Sequence, residues 1–178
     1  MTNTPDELIV LGYQARRAGR LHEARELFAE SIGLSRHSAD QDGLANSLVG
    51  LGQTERDLKN THVAVQHYRE AVDIYRSQPN RLRFAHTIRH LADILREVGS
   101  FEEAKLYYEE ALQIYRQSTE TPRLDLANAI RGFALLLGET GEFEKAKSLW
   151  QEARSLYQSA DVQAGVEESE AQIVRLTA

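Results

Sequence analysis

The sequence predicts an all-α protein: four antiparallel helix pairs stacked as an α-solenoid, followed by a lone C-terminal capping helix. Three observations lead there. A helical pattern returns at a nearly fixed step along the 178 residues. Between the two helices of each copy lies a tight turn, with glycine in three of the four. The three prolines, Pro5, Pro79 and Pro122, interrupt none of the periodic segments.

The repeat is visible in the stretch FEEAKLYYEEALQIYR at 101–116, which returns as FEKAKSLWQEARSLY at 143–157. A small residue anchors the second helix of each pair: Ala24, Ala64, Ala104 and Ala146, at steps of 40, 40 and 42. Four residues later stands an aromatic: Phe28, Tyr68, Tyr108 and Trp150. Three further on come Ser31, Ala71, Ala111 and Ala153, and four after those Ser35, Tyr75, Tyr115 and Tyr157. Offsets of four, three and four keep one face of a helix. The first helix of each pair is as regular. It carries Leu8, Leu48, Ile88 and Ile130, then Leu11, Leu51, Leu91 and Phe133, then the small Gly12, Gly52, Ala92 and Ala134. The apolar rows predict a buried face, and the small residue lets the partner helix come close.

Taken in order, the first unit spans about 5–38 and opens with Thr-Pro-Asp-Glu at 4–7, a capping-box spacing with proline at the first helical position. The second spans about 42–78. Its turn has Lys59 where the others have Gly19, Gly99 and Gly141, so Asn60 is expected to take the left-handed conformation and the turn to be the least regular. The third spans about 82–118 and the fourth about 124–160, with Pro79 and Pro122 in the longer links where helices must stop. Residues 161–178 place Val166, Ile173 and Leu176 on one face and Glu167, Glu168 and Glu170 elsewhere, as expected of a solvating cap. The whole is read as one continuous domain, because a single pair cannot bury its apolar stripe without a neighbour.

Composition narrows the function. With 21 basic and 27 acidic residues the net charge is −6, which disfavours a generic nucleic-acid surface. Cysteine is absent, so there is no disulfide framework and no thiolate chemistry. No apolar run reaches the roughly 18 residues of a membrane helix. The start, MTNTPDELIV, lacks a secretory pattern, and a soluble cytoplasmic protein is the expectation.

These units resemble the tetratricopeptide repeat (TPR) family: Leu-(Gly/Ala) in the first helix, Gly at the turn, then Ala, an aromatic and Ala in the second. The match covers about residues 6–157. The 40–42 spacing, with LANSLVGLG and LANAIRGFA, looks most like the kinesin-light-chain-type subgroup. The resemblance implies a right-handed stack whose concave face is lined by the first helices and holds extended peptides.

Signals of catalysis are weak. HTIRH at 86–90 puts two histidines at i and i+4, but Thr87 stands where a metalloprotease pattern needs Glu, and Arg89 would repel a cation. The paired carboxylates read as solvated helix faces. The glycines sit singly rather than in a phosphate loop, and no serine has an elbow motif. The aromatic stripe reads as core rather than as a base-stacking platform. Neither an enzyme nor a cofactor or metal site is expected.

The groove-facing positions follow from the resemblance. Relative to the Leu11, Leu51, Leu91 and Phe133 row, taken to point inward, five residues earlier lie Asp6, Asn46, His86 and Asn128. Two earlier lie Ile9, Val49, Arg89 and Arg131. Two later lie Tyr13, Gln53, Asp93 and Leu135, and five later Arg16, Arg56, Arg96 and Gly138. The expected peptide-binding set is therefore Asn46, Arg56, His86, Arg89, Asp93, Arg96, Asn128 and Arg131. The asparagines would bond a partner's backbone, and the arginines would attract acidic side chains or a free C-terminal carboxylate. The family's Lys/Asn carboxylate-clamp pattern is incomplete here. An alternative reading has the arginines Arg16, Arg56 and Arg96 paired with Asp57, Glu97 and Asp93. The expected function is a protein-interaction scaffold holding an extended peptide. The rival is a structural or self-associating module that docks by an edge.

Overall fold

The computed structural model describes residues 3–177. Nine α-helices and no strand occur among the described residues. They are α1 (Pro5–Arg17), α2 (Leu21–His37), α3 (Gln41–Asp57), α4 (Thr61–Arg76), α5 (Arg81–Glu97), α6 (Phe101–Gln117), α7 (Arg123–Glu139), α8 (Phe143–Ser159) and α9 (Gln163–Arg175). They follow the expected pairs α1–α2, α3–α4, α5–α6 and α7–α8, with α9 last. The chain divides into two compact units, Met1–Arg81 and Leu82–Ala178. No helix among the described residues is long and apolar enough to cross a membrane.

The first unit is built around Phe28 of α2, which is fully buried. Its ring lies over two glycines. A Cβ at Gly12 would come within 2.8 Å of it, and one at Gly50 would collide with it. The aromatic thus fills the gap between its own first helix and α3, where any side chain on those positions would force the helices apart. Tyr13 meets the same ring edge-on at 5.1 Å. The buried face is completed by Leu8, Leu48, Tyr68 and Tyr75. Leu11 departs from the expectation: with α1 at the edge of this unit, it stays 40% exposed, whereas Leu51 is 6% exposed.

In the second unit Phe84, Ile88, Leu91, Tyr108, Ile130 and Trp150 are buried. Tyr108 stacks on Phe133 at 5.8 Å and also covers Gly132. Tyr157 covers Gly165 of α9 in the same manner, with a Cβ there falling 2.5 Å from the ring. α9 is therefore seated as a first helix would be.

The capping box at Thr4 forms, with Glu7 N–H donating to Thr4 Oγ1 and Thr4 N–H to Glu7 Oε2. The turns within pairs share one geometry. Gly19, Gly99 and Gly141 have φ of 75°, 78° and 84°, and Lys59 has 66°. In each, the next N–H returns to a carbonyl five residues back: Arg20 to Ala15, Asn60 to Glu55, Ser100 to Leu95 and Glu142 to Leu137. The second turn is thus as regular as the rest, and it is Lys59 that is left-handed, while Asn60 has φ −87°. The returning bond fixes the left-handed residue one place before its donor, and that place is 59. Ala39 and Asp161 repeat the device between α2 and α3 and between α8 and α9, at φ 57° and 54°.

Candidate functional site

The eight candidate residues all lie on first helices: Asn46 and Arg56 on α3 in the first unit, the other six on α5 and α7 in the second. In the first unit Asn46 is half-buried, and its Oδ1 accepts the Tyr75 hydroxyl at 2.6 Å. Arg56 is half-buried near the end of α3. On the same helix Glu55, only 5% exposed, accepts from Nε and Nη2 of Arg25 at 2.7 and 3.0 Å and from the Asn60 side chain at 2.8 Å. Burial alone would raise its pKa. The bonds from Arg25 and Asn60 and the Arg25 charge outweigh that and hold it below the ordinary range.

The second unit gathers a denser polar face. Arg89, 8% exposed, donates to Asp93 Oδ2 at 2.9 Å, and its Nη2 lies 2.7 Å from His90 Nε2. The other oxygen of Asp93 accepts the Tyr108 hydroxyl at 2.6 Å. His86 packs edge-on against His90 at 4.6 Å. Burial, and then the Arg89 charge, lower the pKa of His86, against the opposing pull of Asp125 and Asp93. Tyr115 is 2% exposed, and burial raises its pKa well above the ordinary phenol. The Tyr115 hydroxyl and Arg89 Nε are both buried without a hydrogen-bond partner. Asn128 Oδ1 accepts the Tyr157 hydroxyl at 2.7 Å, the counterpart of Tyr75 on Asn46.

Arg131 is more accessible than Arg89 or Arg96, its side chain 39% exposed against 10% and 17%. Its Nε and Nη2 hold both oxygens of Glu168, on α9, at 2.6 and 2.7 Å. That bond, weighed against burial, raises the Arg131 pKa. The geometry is the two-pronged grip that a guanidinium gives a carboxylate. Glu168, read from the sequence as solvated, is turned onto α7. Its position was legible: it falls 40 residues after Asn128, in the row of Asn46 and His86.

The remaining arginines form a different arrangement. Arg16 pairs with Asp57 at 2.7 Å and also reaches Gln53, so the alternative reading holds at that position. Arg96 pairs with Glu139 of α7 at 2.6 Å, and Asp93 is held by Arg89 instead. In both cases an arginine near the end of one first helix meets a carboxylate at the end of the next. Among the described residues no group of three or more His, Asp or Glu could hold a metal ion.

A family model described as MalT-like TPR region matches residues 7–178. Among solved structures, BtubC (BKLC) from P. vanneervenii is 19% identical, with a TM-score of 0.80 over 90% of this chain and 67% of that chain. A Signal Transduction ATPase with Numerous Domains (STAND) protein with a tetratricopeptide repeat sensor, from Pyrococcus horikoshii, is 15% identical with a TM-score of 0.83. The similarity covers 95% of this chain but 26% of that one, so the chain spans about a quarter of its length. No curated protein matches the sequence. At these identities the likeness establishes the fold class, an all-α helical-repeat solenoid.

Proposed function

Because this chain belongs to the family of MalT-like TPR regions, an architecture that serves as a scaffold for protein–protein interaction, we propose that it holds an extended, carboxylate-bearing segment of a partner protein on its first-helix face. We read its 40–42-residue spacing as like that of the kinesin-light-chain-type repeats. The carrying observation is the Arg131 fork, which already grips a carboxylate in bidentate geometry while remaining over a third exposed. An acidic side chain or a free C-terminus presents the same group. Around it in the second unit, His86, Arg89, Asp93, Arg96 and Asn128 supply further polar contacts; Asn46 and Arg56, the other two expected residues, belong to the first unit. The role needs no cofactor and no catalytic step, and it suits a cytoplasmic protein. A repeat segment named as a sensor in the STAND protein accords with it.

The test is affinity capture of the native partner, repeated with variants. Arg131→Ala should weaken capture by about 2 kcal/mol if the arginine sits in a desolvated hot spot. Arg131 is preferred to Arg89, whose loss would leave Asp93 without its cation. Raised salt should weaken capture too, since charges near water are screened over roughly 8–10 Å. Glu102→Gln, on the exposed side of α6, should change little. A partner held as tightly by the Arg131→Ala variant would remove the groove reading and leave docking by an edge, with self-association measured by light scattering, as the better account.

A further inference from the structure

Glu168 has a consequence of its own for that site. It stands in the row Asp6, Asn46, His86, Asn128, Glu168, at steps of 40, 40, 42 and 40. On α3, α5 and α7 that row carries Asn or His; on α9 it carries a carboxylate. α9 is seated firmly enough to present it at a fixed height. Gly165 lies under the Tyr157 ring, and Ser169, fully buried, bonds back to the Gly165 carbonyl at 2.7 Å, as Ser47 does to Gly43 in α3. The neighbouring acids do not share the role: Glu167 is exposed and takes a bond from Gln163, and Glu170 is exposed beside Arg154 at 3.7 Å. Glu168 alone reaches α7, and it takes both prongs of Arg131. Arg96–Glu139 is a single contact at the helix ends, but Arg131–Glu168 lies mid-face, on an accessible arginine.

We propose that α9 carries a built-in competitor: the Glu168 carboxylate occupies Arg131 and must be displaced by the carboxylate of a partner. This rests on the reading of the face as a carboxylate-binding site. Occupation in cis keeps the arginine paired when no partner is present, and it sets a threshold that weak acidic ligands do not pass. A ligand gains only the difference between its own grip on Arg131 and that of Glu168.

The experiment is a fluorescence-anisotropy titration of the full chain with fluorescein-labelled hexaglutamate at low ionic strength. Glu168→Gln keeps the side chain's size and is expected to bind the probe roughly tenfold more tightly than the parent, a difference of about 1.4 kcal/mol. Glu167→Gln makes the same charge change on the exposed side of α9 and is expected to bind like the parent. Arg131→Ala combined with Glu168→Gln is expected to lose the gain. Two further probes, C-amidated hexaglutamate and hexaglutamine with a free C-terminus, separate side-chain from terminal carboxylates; a gain by Glu168→Gln with either supports the competitor. Equal binding by parent and Glu168→Gln, with both weakened by Arg131→Ala, would overturn the competitor while the site reading stands. Equal gains from Glu167→Gln and Glu168→Gln would reduce the effect to net charge and overturn it also. No binding by any variant would remove the site and its competitor together. Thermal denaturation followed by circular dichroism confirms that each variant is folded when it is titrated.

Discussion

Lys59 at φ 66°, like Ala39 and Asp161 at 57° and 54°, is a non-glycine residue in the left-handed region. An L-residue in the left-handed region costs about 1–2 kcal/mol, and glycine escapes most of that. Lys59→Gly is therefore expected to raise the stability of the first unit by about 0.5–1 kcal/mol in urea denaturation; a loss would show that the lysine side chain contributes more than its backbone costs. The opposite rule holds where a ring lies against glycine. Gly50→Ala drives a Cβ into the Phe28 ring and is expected to cost about 1–3 kcal/mol, as overpacked cores do. Gly33→Ala, in α2 with open space around it, is expected to stabilise by up to about 1 kcal/mol through helix propensity. The glycine spacing made three turns legible in the sequence. The fourth was misread by one residue, because side-chain type suggested Asn60 while the returning N–H to the Glu55 carbonyl selects Lys59. Ala39 and Asp161 gave no compositional sign of their φ.

Several carboxylates are held by cations three residues away or on a neighbouring helix. Glu55 is held below the ordinary range by Arg25 and Asn60 despite its burial, and hydrogen bonds from Lys105 and Lys145 pull Glu142 down to about 2. A carboxylate whose folded pKa lies below its unfolded value, about 4.3 for Glu, stabilises the fold above that value and loses the contribution as pH falls toward the folded one. Stability should thus begin to fall below about pH 6.5, where the unfolded chain protonates His86 more readily than the fold does, and decline further from about pH 4.5 toward pH 2. Glu55→Gln with Glu142→Gln should flatten that decline; an unchanged acid profile in the double variant would place the sensitivity elsewhere. The tyrosine–asparagine bonds tie second helices to first ones, and Tyr157→Phe is expected to cost about 1 kcal/mol by leaving Asn128 without its donor. The helical faces were legible because offsets of three and four survive in sequence. The partners were not, since Arg25 and Glu55 are 30 residues apart and Arg131 and Glu168 are 37 apart, and long flexible side chains leave no periodic trace. The rows that put Asn128 and Arg131 in the expected site with His86 and Arg89 could not show that Glu168 would fill the arginine.

At the scale of the whole molecule, two compact units mean that damage stays local. Trp150, 1% exposed in α8, is expected to cost about 3–5 kcal/mol when replaced by alanine. Hydrogen exchange should then rise first in α7, α8 and α9, since repeats depend on their neighbours; an even rise through α1 to α4 would contradict that coupling. The central claim is that the first-helix face of the second unit receives a partner's carboxylate. It is tested most directly by a backbone and arginine side-chain NMR map recorded while hexaglutamate is titrated into the Glu168→Gln chain. The account expects the largest shifts at Arg131, including its Nε–H, with His86, Arg89 and Asn128 following on α5 and α7, and a loss of these shifts in raised salt. Shifts confined to the exposed sides of α6 and α8, or to the outer edge of α1, with Arg131 unmoved, would contradict it.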